Sequence, residues 1–305
     1  MVIRGGAIGD FILTLPAITA LRQQFPEAHL EVLGYPHIIQ LALASGLVDR
    51  IQSIEARALA GFFALHGSLE TDLADYFSEF DLIVSYLYDP DQIFEMNVRR
   101  CTPAQYIAGP YRPDETSELH ASRLFLKPLE RLAIFDADAV PRLLVPASSN
   151  VAQPAADPPI ALHPGSGSER KNWPEANWVE LLHYFIHSTG FSLLLVGGEA
   201  EGERLQRLAA ALPPVRNSVA QSLPLAELAR LLQRCGVFIG HDSGISHLAA
   251  ALGLPGLILW GDTVEQIWRP PSERIKILRH AEGLARLPVR TVIDEFSKLV
   301  AGGKP

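Results

Sequence analysis

Residues 238–260, FIGHDSGISHLAAALGLPGLILW, decide the reading of this chain. An apolar run ends at Ile239, a polar break covers 240–244, a helical run follows over 245–252, and a second apolar run fills 256–260. That order reads strand, turn, helix, strand. The turn carries His241, Asp242, Ser243 and Gly244 at the edge where a parallel strand gives way to a helix. In α/β folds this edge is where ligands bind. Free N–H groups and a partial positive charge at the helix start suit a phosphate. Gly244 lets backbone approach a ligand closely. His247 follows Gly244 by about one helical turn and can face the same site. Asp242 or Ser243 acting only as a helix cap is the structural alternative.

The surroundings repeat the pattern. The 305 residues suffice for two domains, and a composition of 48% hydrophobic and 20% charged residues is that of a globular protein. Cys101 and Cys235 lie far apart, which gives no metal-binding spacing and fits a reducing, cytoplasmic setting. No apolar run is long enough to span a bilayer, and the start, MVIRGGAIGD, is too short and polar for a signal peptide. The net charge of −8 resides in residues 1–150, which hold 11 Lys and Arg against 19 Asp and Glu, whereas residues 151–305 balance at 15 and 15. A nucleic-acid groove would be basic, so nucleic acid is excluded as a partner, and any anion site must be local.

From the N-terminus, MVIR reads as a short strand, GGAIGD as a glycine-rich turn and 11–25 as a helix, with Pro16 expected to kink it or to start it. GGAIGD lacks the GxGxxG dinucleotide spacing. Gly9 is read instead as clearing space for a substrate and Asp10 as projecting into a cleft; as a first-turn acid Asp10 could also serve the helix alone. Strands are expected at 30–33, 50–54, 81–86 and 105–108, and helices at 36–44, 69–79 and 119–132. Tyr88-Asp-Pro-Asp91 looks like a metal-binding DxD but is read mainly as the cap of the next helix. The Pro-, Ala-, Ser- and Asp-rich stretch 136–159 reads as the interdomain linker, giving domains 1–145 and 146–305. The second half restarts with strands at 160–163 and 191–196 and an edge strand at 274–278. Helices are expected at 203–212, 225–233 and 289–300, the last completing its own domain or packing back on the first. Such alternation predicts a parallel sheet covered on both faces in each half.

Four strand ends in the second half carry polar or glycine-rich loops, at 163–171, 197–199, 240–244 and 261–263. On one rim they offer Arg170 and Lys171 as cations, Ser166, Ser168, Ser243 and Thr263 as hydroxyls, backbone donors at a helix start, and Glu199 as an acid. A nucleoside diphosphate needs that set: charge and donors for phosphates, an acid for ribose hydroxyls. The loops do not fit GxxxxGK[ST], so ATP hydrolysis is unsupported.

At this point LHPGSGSERKNWPEANW, LLLVGGEAE and GHDSGISHLAAALGLPGLILWGDT, together with RGGAIGDFILTLPAITALRQQFP, resemble glycosyltransferase family 9, the lipopolysaccharide ADP-heptose heptosyltransferases. The resemblance runs over nearly the whole chain. It implies an α/β GT-B fold, two doubly wound Rossmann-like domains facing across a cleft, with the nucleotide-sugar donor on the C-terminal domain and the acceptor facing the N-terminal one. It implies an inverting transfer with no metal and no cofactor. Carried over, Asp10 matches the catalytic base and Lys171 the cation that stabilises the departing diphosphate. Asp242, Ser243, Gly244 and His247 match the donor-binding block. Glu199 matches an acid contacting the nucleoside, Ser166 a hydroxyl residue near phosphate, and Gly9 accompanies them. Gly261-Asp-Thr263 departs from the family's Gly-Pro-Thr.

The expected function is therefore transfer of heptose from an ADP-sugar to a lipopolysaccharide-core or other glycan or glycolipid acceptor. A nucleotide-sugar epimerase and a non-catalytic nucleotide-sugar binding protein stay open beside it. So does peripheral contact with the inner face of the inner membrane, since no basic amphipathic helix stands out.

Overall fold

The structure is a computed structural model that describes residues 1–147, 158–199 and 201–302, without the side chain of Arg170. The core of the expected linker, at 148–157, lies outside the described residues. The chain divides into two compact units, Met1–Pro141 and Arg142–Pro305. The division falls a few residues before the expected 145/146. Leu143 and Val145 are buried, and the Leu143 N–H donates to the Ala251 carbonyl at 2.8 Å, which ties this segment to the second unit.

Unit 1 is a five-stranded parallel sheet in the order β3-β2-β1-β4-β5, built from β1 (Val2–Arg4), β2 (Glu31–Gly34), β3 (Arg50–Ser53), β4 (Leu82–Ser85) and β5 (Gln105–Ala108). Its helices are α1 (Ile8–Gln24), α2 (Pro36–Ala44), α3 (Thr71–Ser78), α4 (Ile93–Arg99) and α5 (Ala121–Leu126). Ile3, Leu33 and Ile83 pack with Phe62, Phe77 and Phe94 in one cluster. Their neighbours Val2, Val32 and Val84 are equally buried, so both faces of the central strands are covered. Each such buried side chain contributes about 1.5–3 kcal/mol.

Two helices of unit 1 differ from expectation. Helix α1 begins at Ile8 and runs through Pro16 without stopping. Pro16 removes one backbone donor, but the helix buries ten residues from Phe11 to Leu21, and that packing outweighs the lost bond. The expected helix 119–132 is shorter at its start, where His120 caps it, and tightens to a 3₁₀ turn over Lys127–Leu132 around Pro128.

Unit 2 is a six-stranded parallel sheet in the order β11-β10-β9-β6-β7-β8. Its strands are β6 (Ile160–His163), β7 (Leu193–Gly197), β8 (Asn217–Gln221), β9 (Val237–His241), β10 (Gly256–Leu259) and β11 (Ile275–Leu278). Its helices are α6 (Glu175–Ser188), α7 (Gly202–Ala210), α8 (Leu225–Leu232), α9 (Gly244–Ala251), α10 (Glu265–Trp268) and α11 (Val289–Gly302). In β10, Leu257 and Leu259 join the cluster of Trp173, Trp178 and Phe185, whereas Ile258 joins Ala250, Trp260 and Ile275 on the other face. Helix α11 packs into unit 2's own core through Val292 and Phe296, and the Phe296 ring lies 4.8 Å from Phe185. Sequence reading missed the short helix α10 and strand β8, sequence NSVAQ. Strand β8 is a mostly exposed edge strand, so it needs no alternating apolar pattern. Among the described residues no helix is long and apolar enough to cross a membrane.

Candidate active site

The corner between β9 and α9 is assembled from buried polar groups. Ser243 caps α9, its Oγ accepting the Ser246 N–H at 3.4 Å and lying 3.3 Å from His163 Nδ1. His241 is fully buried. Its Nε2 accepts the Trp173 N–H at 2.9 Å, which leaves Nδ1 to donate to the Gly165 carbonyl at 3.2 Å. The ring therefore clamps both ends of the loop 165–173, and it rests edge-on against Trp178 at 5.4 Å. Burial pushes the His241 pKa down to about 3, partly offset by the Gly165 bond, and burial likewise holds His163 well below its ordinary value. Both imidazoles are neutral near pH 7.

The loop clamped by His241 carries Lys171. Its Nζ donates to Asp242 Oδ2 at 2.7 Å, and the Asp242 side chain is only 8% exposed against 39% for Lys171. The cation thus stands at the surface, and its carboxylate partner stands beneath it at the start of α9. Ser166 belongs to the same loop, its Oγ 2.8 Å from Asn172 Oδ1. Two residues that sequence reading passed over hold the neighbouring turns. Glu201 accepts the N–H of Gly167 at 3.0 Å and that of Gly198 at 2.8 Å, bridging the loops after β6 and β7. A Cβ at Gly165 would meet Glu201 Cγ at 2.0 Å, so that position requires glycine. Arg204 donates to the Pro164 carbonyl at 3.2 Å and grips both oxygens of Glu169. The two residues are three apart at the start of α7, a helical spacing that puts them on one face and could have flagged them.

Unit 2 thus brings Ser166, Lys171, Asp242, Ser243 and Gly244 to one rim, with His247 buried a turn further into α9. Glu199 lies exposed beyond the end of β7; its carbonyl, not its carboxylate, accepts from Gly202. Thr263 follows β10 and accepts the Trp260 indole N–H through its backbone carbonyl at 2.7 Å. The remaining expected residues, Gly9 and Asp10, lie in unit 1.

There the turn after β1 is opened by Gly6 at φ +101, in the left-handed region, where a Cβ would also meet Asp10 Oδ2 at 2.9 Å. Gly9 and Asp10 sit in the first turn of α1, and Asp10 Oδ2 accepts the Ala7 N–H at 2.9 Å. The other carboxylate oxygen lies 3.7 Å from Arg4, whose guanidinium is 2% exposed. Arg4 also donates to the carbonyls of Tyr86 at 3.2 Å and Tyr111 at 2.7 Å and stacks 4.5 Å from the Phe125 ring. Asp10 is therefore both a helix-start acid and a half-exposed carboxylate backed by a buried cation. The DxD-like Asp89 does cap α4, accepting the N–H groups of Phe94 and Glu95. Among the described residues no group of three or more His, Cys, Asp or Glu side chains could hold a metal ion.

With that geometry in place, relatives become informative. The sequence profile of glycosyltransferase family 9 (heptosyltransferase) matches residues 137–291. Lipopolysaccharide heptosyltransferase 3 of Escherichia coli is 24% identical over 298 residues, covering 88% of this chain and 84% of that protein. A family 9 glycosyltransferase from Veillonella parvula superposes with a TM-score of 0.79 at 19% identity, over 99% of this chain and 97% of the other. E. coli heptosyltransferase WaaC, solved with ADP, superposes at 0.75 with 19% identity over 98% of each chain. The two parallel α/β units are the Rossmann-like halves of a GT-B fold. The chain belongs to glycosyltransferase family 9, the heptosyltransferase family, and is a glycosyltransferase.

Proposed function

We propose that this enzyme transfers heptose from ADP-heptose to a lipopolysaccharide-core or other glycan or glycolipid acceptor, with inversion at the anomeric carbon and without a metal ion. The observation that carries the reading is the Lys171–Asp242 pair at the Ser243-capped start of α9. It sets a surface cation beside the N–H groups of a helix start, the arrangement a diphosphate binds. Family membership and the ADP bound by the WaaC structure support adenine as the base.

In the proposed reaction Asp10 accepts the proton of the acceptor hydroxyl while its oxygen attacks the anomeric carbon from the face opposite ADP. The bond from that carbon to the diphosphate oxygen breaks, its electron pair leaves with ADP, and Lys171 neutralises the charge that develops there. Ser166, Ser243, Gly244 and His247 hold the donor, Glu199 reaches the nucleoside, and Gly9 gives clearance beside Asp10. The proposed setting is the cytoplasm, with peripheral contact at the inner face of the inner membrane when the acceptor is a glycolipid.

The test is ADP release from ADP-heptose with and without a panel of truncated lipopolysaccharide cores, followed by NMR of the product's anomeric configuration. Acceptor-dependent release with inversion is expected. Conversion of the donor alone into an isomeric ADP-sugar would establish an epimerase instead, and donor binding with no turnover across the panel would leave a binding protein.

A further inference from the structure

The C-terminal ends of β1, β4 and β5 are neighbours in the unit 1 sheet, and they carry more than Asp10. Beyond β4 stands Tyr88, 62% exposed, and beyond β5 stands Tyr111, 47% exposed. Their rings meet edge to face with centroids 4.6 Å apart. Two exposed rings in mutual contact make a contiguous aromatic patch, which singly scattered exposed residues do not. The backbone under them is tied to the candidate base by one group. Arg4 donates through one terminal nitrogen to the Tyr111 carbonyl at 2.7 Å, and its other terminal nitrogen lies 3.7 Å from the Asp10 carboxylate. The same guanidinium holds the Tyr86 carbonyl two residues before Tyr88. Gly109 completes the fixture: a Cβ there would meet Pro128 at 2.8 Å and the Tyr86 ring at 2.9 Å, so the β5 turn packs down only with glycine.

The charge around the pair is one-sided. Segments 86–92 and 109–118 hold five acids, Asp89, Asp91, Asp114, Glu115 and Glu118, against one arginine. That arginine, Arg112, is engaged by Glu115 at 2.7 Å. Such a rim disfavours phosphate and carboxylate groups and leaves an aromatic surface with hydroxyls. A ring face carries negative quadrupole density that attracts the C–H edge of a sugar, and tyrosine does this with little rotamer freedom to lose.

From this we infer that Tyr88 and Tyr111 form an acceptor platform that takes an uncharged pyranose ring by its C–H face and brings a hydroxyl of that ring to Asp10. The inference rests on the reading of Asp10 as the base of a sugar transfer. It narrows the acceptor's reacting end to a neutral sugar rather than a phosphorylated one.

The test is saturation-transfer NMR of the full chain with methyl α-D-glucopyranoside and methyl α-D-mannopyranoside, each beside its 6-phosphate. The wild type, Y88A/Y111A and Y88F/Y111F are compared, and ADP affinity is measured calorimetrically in each. Saturation is expected on the ring C–H protons of a neutral glycoside. Its affinity should fall about tenfold in the double alanine variant and stay within about twofold in the double phenylalanine variant. The 6-phosphates should bind more weakly. Equal saturation in the alanine variant, or tighter binding of a 6-phosphate, would overturn the platform. Unaltered ADP binding in the variants shows that unit 2 is intact. Absence of any tyrosine-dependent sugar contact in a protein that binds ADP refutes this inference alone, whereas tyrosine-dependent sugar contact in a protein that does not bind ADP refutes the donor reading and leaves the platform standing.

Discussion

The two strand–turn–helix corners that carry the candidate chemistry are built in opposite ways. At β9–α9 in unit 2 the polar groups lie inside: His241 and His163 are buried and neutral, Ser243 caps the helix with its side chain, and Asp242 is covered while its partner Lys171 reaches the surface. At β1–α1 in unit 1 the burial is inverted: the cation, Arg4, is inside and the carboxylate, Asp10, is half-exposed. Helix α1 there has no side-chain cap at Ala7, and Asp10 accepts the Ala7 N–H from within the first turn. The difference fits a division of labour. Fixed backbone N–H groups and an outward cation suit the proposed diphosphate, and an outward carboxylate suits the proposed deprotonation of a hydroxyl.

The largest effect that sharpens this contrast is Asp10→Asn. The amide oxygen can still accept the Ala7 N–H, so α1 keeps its start, but the proposed base is gone. Transfer should fall by roughly 10²–10⁴-fold, with ADP affinity unchanged in calorimetry. Arg4 keeps its carbonyl partners but loses its anion, so thermal stability should also drop. Retention of most of the rate would remove Asp10 from the mechanism.

Lys171→Ala should act on the other corner. It removes the proposed phosphate contact and leaves the covered Asp242 carboxylate unpaired. ADP should bind roughly 10- to 100-fold more weakly, as loss of a charge-assisted bond implies. Adding Asp242→Asn should recover part of the lost stability but not the lost affinity, and full additivity of the two in thermal melts would deny the coupling.

The histidine clamp predicts a pH dependence. His241 is neutral when folded, with its pKa at about 3, but takes up a proton below an ordinary value of 6.5 once unfolded. Its stabilising effect is therefore complete above pH 6.5 and declines as pH falls from there toward 3, by roughly 1.4 kcal/mol per pH unit. His163 is depressed by burial in the same way and adds its own slope, so His241→Gln should reduce the slope measured in denaturant titrations at pH 7, 6 and 5 without abolishing it. An unchanged slope would show that the ring is not kept neutral.

The smallest effect belongs to Glu201→Gln. The amide can keep one oxygen bond to Gly167 or Gly198 but not both. A loss of about 1 kcal/mol in stability and at most a several-fold change in ADP affinity are expected.

Much of this arrangement was legible in the sequence. The apolar runs flanking HDSG and the helical run after it place the turn on a strand end, and β9, α9 and β10 lie where 238–260 put them. Lys171 and Asp242 could be assigned to one rim because parallel strands end together, but their ion pair depends on loop conformation that no spacing encodes. His241 was legible as a turn residue and not as a clamp, because its partners Gly165 and Trp173 are distant in sequence. Arg4 likewise reads as the end of a short strand; its burial follows only from the loops after β4 and β5 closing over it. Strand β8 escaped because an exposed edge makes weak demands on sequence.

The most direct measurement of the central claim is calorimetric titration of the protein with ADP, UDP, GDP and CMP, each with EDTA and with Mg²⁺. The account predicts selective binding of ADP that EDTA does not diminish and Lys171→Ala weakens. A preference for UDP, or ADP binding that requires Mg²⁺, would contradict it.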